Sequence, residues 1–187
     1  GARWAPDLIR RAFYKITPPH HEQSALSEIK TELSSTAFIS PRLLDFGNWQ
    51  PLLASQSSFQ QVLESYLQQI PPTLARVLET RSMITLGGGH DFGAVDGAGF
   101  IQWAHKNNKS PSERPLIINF DAHLDVRPWK NGINSGTPFS WLIDNFQNKF
   151  DLIEVGIQKQ CTSPDHLRWA RDKGVEVIDA DELKKIP

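Results

Sequence analysis

Residues 116–128 read LIINFDAHLDVRP. The run from Leu116 to Phe120 is the clearest buried strand in the chain, and it leads directly into Asp121, His123 and Asp125 at alternate positions. Alternate residues of an extended segment point to one side, so three potential metal ligands would converge about 6–7 Å apart, two residue rises each. Burying two carboxylates and an imidazole without a cation or other partner is costly. Manganese and zinc ions accept mixed imidazole and carboxylate ligands, and a carboxylate such as Asp121 can bridge two ions. The plainer alternative is a surface turn closed by a salt bridge, for instance to Arg127.

Outward from this stretch, apolar runs alternate with helical patterns. SMITL (82–86) reads as a strand running into GGGHD (87–91), and DLIEVGI (151–157) and VEVID (175–179) read as two more. FQQVLESYLQQI (59–70) is an amphipathic helix, with Pro71-Pro72 expected to end it or to begin the next. AGFIQWAHKN (98–107) and TPFSWLIDNF (137–146) are helices, the second begun by Thr137-Pro138. In SPDHLRWARDKG (163–174), Ser163 stands at the N-cap, Pro164 at the first position and Gly174 at the stop. Near the start, Ala5, Leu8, Ile9 and Phe13 have near-helical spacing. A polar, weakly patterned excursion follows, then a short strand candidate from Leu43 to Phe46.

Strands alternating with helices imply a parallel α/β sheet, and ligands bind such sheets beyond the carboxyl ends of the strands. GGGHD and DAHLD both fall at such ends. The glycines let His90 approach a neighbouring strand end. The rival phosphate-cradling loop lacks the Lys-Ser/Thr that would define it.

Composition bounds the function. With 20 Lys+Arg against 21 Asp+Glu, the net charge of -1 argues against a general nucleic-acid binder. No apolar run approaches the roughly 18 residues of a membrane span. One cysteine, Cys161, excludes an internal disulfide framework and suits a reducing, cytoplasmic setting. A small-molecule substrate is the expected partner, and assembly into a homo-oligomer stays open.

GGGHD, NFDAHLD and SGTPF (135–139) occur in the order and approximate spacing found in the ureohydrolase family of arginases, agmatinases and formimidoylglutamases. The opening GARWAPDLIRRAF also resembles that family's early segment, and the likeness continues more weakly through VGIQKQ (155–160). The resemblance implies a three-layer α/β/α domain with a mainly parallel sheet, spanning residues 1–187 as one partial domain. It implies two Mn²⁺ ions. His90, Asp121 and Asp125 would hold one, and Asp121 and His123 the other. The implied chemistry is attack of an activated water on a guanidinium or amidine carbon, with Asp125 accepting a hydrogen bond from that water. Ser135 stands where many arginases and agmatinases carry histidine, so SGTPF is similar to the formimidoylglutamase version. That branch splits N-formimidoyl-L-glutamate into glutamate and formamide in histidine degradation. Urea-releasing guanidino hydrolysis and a catalytically incomplete metal-binding module are the alternatives.

A substrate with two carboxylates needs cationic or donor residues beside the metal. Arg127 is the first candidate, with Asn134 and Ser135 as further contacts; Lys130 lies nearby and Lys159 is weaker. His20, His21, His105 and His166 read as surface or structural residues. The family's first strand and its later Asp-rich ligand segment have no match here, and Asp179, Asp181 and Glu182 do not replace them. The chain is therefore expected to be an incomplete site, with an unpaired sheet edge.

Overall fold

The computed structural model describes residues 8, 9, 12, 58–80, 82–87, 89–108, 110 and 112–185. Contacts divide the chain into two compact units, Gly1–Gln50 and Pro51–Pro187. In the first, Leu8, Ile9 and Ala12 are helical; Ala5 and Phe13, the other positions of the expected helical spacing, lie outside the described residues. The excursion that follows, the strand candidate at Leu43–Phe46, and His20 and His21 lie outside the described residues.

The second unit begins with α1, Phe59–Leu78. Ser58 starts it through a capping box: its Oγ accepts from the Gln61 amide, and its own amide donates to Gln61 Oε1 at 2.7 Å. Pro71 and Pro72 lie inside this helix rather than at an end, which corrects the expectation that they would divide it. The reason is tertiary. Leu63, Ile70 and Leu74 form one apolar stripe that crosses the prolines and buries against Val95 and Ala94 of α2, Gly93–Asn107. That contact outweighs the local cost of the prolines. The second helix begins five residues earlier than its apolar spacing suggested, after a 3₁₀ turn at His90–Phe92.

Three strands make a parallel sheet in the order β1 (Leu116–Phe120), β2 (Asp151–Ile157) and β3 (Glu176–Asp179). Between them run α3 (Pro138–Asn145) and α4 (Pro164–Asp172), and a short α5 (Ala180–Leu183) follows. Monotonic strand order with right-handed crossovers sends successive helices to the same face. The main core forms there: Ile101, Leu142, Leu152, Ile157, Ala170 and Val175 are at most 6% exposed. Ser163 occupies the N-cap of α4 as expected, although its hydroxyl makes no capping bond.

On the opposite side of β1, Ile118 and Phe120 are 48% and 78% exposed. Apolar side chains in that position suit a sheet covered on both faces. The strand expected over Ser82–Leu86 is not formed. These residues are irregular, with Ile84 83% exposed. A strand needs a neighbour to take its backbone groups, and no described residue pairs with this segment. Among the described residues, no helix is long and apolar enough to cross a membrane.

Candidate metal centre

Beyond Phe120 the β1–β2 ladder continues to Asp121 and Ala122. The Asp121 amide donates to the Val155 carbonyl at 3.1 Å, and the Gln158 amide donates to the Ala122 carbonyl at 2.9 Å. Gly156, at φ 90°, lets β2 bend beside Asp121 in a conformation that a side chain would strain. Farther on, Phe139 N donates to the Asp125 carbonyl, Arg127 N to the Gly136 carbonyl, and Ser140 Oγ to the Arg127 carbonyl at 2.6 Å. Leu124 and Val126 are buried anchors between the polar positions. The segment is thereby braced by both β2 and the start of α3.

It is not extended, however. The chain bends at Ala122-His123, and Asp125 takes a left-handed conformation at φ 47°. Asp121 Oδ1 accepts from the His123 amide at 3.0 Å, a local turn of the kind aspartate favours. The three polar side chains therefore do not project in register as strand geometry alone implied. Asp125 brings a carboxylate oxygen within 4.8 Å of Asp121 and His90, whereas the His123 side chain is 57% exposed, with Nδ1 3.3 Å from Asp121 Oδ1.

His90 completes the cluster from the 3₁₀ turn. Its Nδ1 lies 2.6 Å from Asp125 Oδ2 and 3.1 Å from Asp121 Oδ2, and its ring meets Phe139 edge-on. One ligand atom from each of His90, Asp121 and Asp125 falls within 4.8 Å of the others. The hydrogen bond to Asp125 holds the imidazole pKa above its ordinary value, against the opposing effect of burial. Burial pushes the Asp121 carboxyl up, but the His123 hydrogen bonds and the nearby His90 outweigh it and hold the group below the usual range. One nitrogen facing two carboxylates is a donor set that suits a borderline divalent cation such as manganese or zinc. A cation among them would also replace the competition of both carboxylates for one ring nitrogen.

Two buried carboxyls flank this cluster, and sequence reading passed over both. Asp91 is 5% exposed, and its Oδ2 has no hydrogen-bond partner among the described residues. Glu154 of β2 is fully buried; Asn119 Nδ2 donates to its Oε2 at 2.8 Å, while Oε1 has no such partner. Burial raises the Glu154 pKa to about 8. An acidic residue inside a strand of otherwise mainly apolar composition was the available signal.

A cavity of about 350 Å³ opens beside the cluster, lined by His123, Asp125, Arg127, Thr162, Ser163 and His166 among others. Arg127 is exposed and lies over Gly136, where a side chain would overlap its guanidinium. Among the described residues no carboxylate pairs with it. Asn134 and Ser135 are exposed in the adjoining turn. There Asn134 Oδ1 accepts from the Gly136 amide and the Asn134 amide donates to Thr137 Oγ1, so the side chain that was expected to face a substrate also builds its own turn. Lys159 pairs with Asp179 at 2.9 Å, and Asp179 caps α5 with Glu182. These acids thus have local structural work, consistent with their mismatch to a ligand motif. His105 bonds the Lys149 carbonyl. His166, read as a surface or structural residue, stands on the cavity wall.

The chain matches the model of the arginase family over residues 1–187. It is 38% identical to a formimidoylglutamase of Legionella pneumophila (strain Paris) over 193 residues, covering 98% of this chain and 49% of the relative. It is 31% identical to the formimidoylglutamase of Vibrio vulnificus (strain CMCP6) over 195 residues, covering 100% of this chain and 50% of the relative. A solved Trypanosoma cruzi formiminoglutamase with Mn²⁺ superimposes with a TM-score of 0.55 at 25% identity, over 69% of this chain and 41% of that one. The chain spans about half the length of the curated relatives it matches. With these likenesses, the sheet and its helical layer are part of a three-layer α/β/α architecture.

Proposed function

Because this chain belongs to the arginase family, we propose that it is part of a manganese-dependent hydrolase that cleaves a C–N bond in a linear amidine, N-formimidoyl-L-glutamate. The two units are read as portions of one arginase-like domain, since the family match runs through both. The observation that carries the reading is the convergence of His90, Asp121 and Asp125 beside a cavity that Arg127 lines.

His90, Asp121 and Asp125 would hold one ion, and Asp121 with His123 would contribute to a second. Bound manganese supplies Lewis acidity, which makes water a competent nucleophile near neutral pH. Asp125 would accept a hydrogen bond from the attacking water and orient it. Arg127 would pair with a substrate carboxylate, a role favoured by its lack of a carboxylate partner in the described chain. Asn134 and Ser135 would donate to the same end of the substrate. Water adds to the amidine carbon, the bond to the glutamate nitrogen breaks, and a proton passes to that nitrogen, giving glutamate and formamide. The formimidoylglutamase relatives and Ser135 in SGTPF favour this substrate over arginine or agmatine. A cytoplasmic setting accords with the single cysteine.

The test is product analysis, in manganese, of the purified enzyme of which this chain is part, with formimidoylglutamate, agmatine and arginine compared side by side. Formamide release, lost on Arg127→Ala by a rise in KM, is the expected result. Urea release would move the reading to guanidino hydrolysis, and no turnover of any substrate would leave only a metal-binding module.

A further inference from the structure

Glu154 is an unusual residue for its place. It lies in the middle strand of a parallel sheet, fully buried, where an apolar side chain would pack without desolvation cost. One oxygen accepts from Asn119 and the other has no protein partner among the described residues. Leaving a buried acceptor unpaired is unfavourable, and such local conflicts concentrate at functional sites.

Its surroundings indicate which function. Asn119 pairs with Glu154 across the β1–β2 ladder and precedes Asp121 by two residues. The next rung is the Asp121 amide on the Val155 carbonyl. The charged groups that act on Glu154 are Asp125, His90 and Asp121, the members of the ligand cluster. The carboxyl is therefore close enough to feel the cluster's charges, and it is bound to the strand that leads into Asp121.

We propose that Glu154 is a positioning residue of the metal centre: through the Asn119 amide it fixes the end of β1 and so the placement of Asp121 for the cation. This rests on the metal-centre reading above. Glu154 touches neither substrate nor cation in this role. It acts as an outer partner of the kind whose loss costs about 10–100-fold in metal affinity.

The experiment is Mn²⁺ titration of the purified protein, followed by the resonance of free Mn²⁺ and paired with thermal melting of the metal-free form. Glu154→Leu should weaken Mn²⁺ binding about 10–100-fold, with the metal-free melting temperature unchanged or raised, because an unpartnered buried oxygen is removed. Glu154→Gln keeps an acceptor for Asn119 and should restore most of the affinity. Should Glu154→Leu fail to fold, Asn119→Ala breaks the same bond from the other strand and should show the same loss. Wild-type affinity in Glu154→Leu or Asn119→Ala, or a loss in Glu154→Gln equal to that in Glu154→Leu, overturns the assignment. A wild-type protein that takes up no Mn²⁺ defeats the metal-centre reading together with this one.

Discussion

Residues 82–86 and 116–120 look alike on paper: SMITL and LIINF are five-residue, mainly apolar runs, and each leads to a member of the His90–Asp121–Asp125 cluster. In the structure they differ. LIINF is a strand in register with β2 along its whole length, and the ladder extends past it to Asp121. SMITL remains irregular, with Ile84 almost fully solvent-exposed. Yet His90, at the end of the unpaired run, still reaches both Asp121 and Asp125. The comparison separates two contributions. Apolar β-branched composition makes a strand available, but a hydrogen-bonding neighbour makes it real. Placement of a cluster residue needs less than a full strand, because the 3₁₀ turn and α2 behind it anchor His90 independently.

The largest effect that would break this contrast lies in the core behind the paired run. Leu152 is opposite Ile117 and 4% exposed, so Leu152→Ala should cost about 2–5 kcal/mol, read from urea unfolding midpoints. A loss below about 1 kcal/mol would mean that the β1–β2 pair is no better braced than residues 82–86.

A graded effect comes from pH. Glu154 has its pKa raised from 4.5 to about 8, first by burial, so the folded protein holds a proton there that the unfolded chain releases. Stability of the metal-free protein should therefore be highest near pH 5 and fall as pH rises toward 8. The raised His90 pKa acts in the same direction, its contribution being lost as pH rises through the folded value. Unfolding midpoints at pH 5, 6.5 and 8 should slope less in Glu154→Gln than in wild type. Equal slopes would remove Glu154 as a source of the dependence.

The smallest effect sharpens the other side of the comparison. Ile84→Ser should change stability by less than about 0.5 kcal/mol, because the side chain is already in water. A larger loss, measured in the same unfolding series, would show that residues 82–86 have acquired a partner in solution.

Much of this was legible beforehand, and the misses have physical causes. Asp121 and Asp125 stood out because ionisable residues at the end of an apolar run in an α/β pattern are costly without a purpose, whereas His90 joined them through the family resemblance of GGGHD. His123 could not be distinguished from them by spacing: the bend at Ala122-His123 and the left-handed Asp125 are decided by bonds to β2 and α3. Pro71-Pro72 looked like a boundary because local rules are blind to the apolar stripe buried against α2. Glu154 drew no attention because its meaning lies in Asn119, 35 residues away.

The sequence by itself determined the alternation of strands and helices, the family, and the residue types gathered at the strand ends. Periodicity and short motifs are local properties, carried by neighbours along the chain. Tertiary structure alone decided which apolar run became a strand, which way each cluster residue turned, and which buried carboxyl lies near them. Those outcomes depend on hydrogen-bond partners and packing surfaces contributed by distant residues.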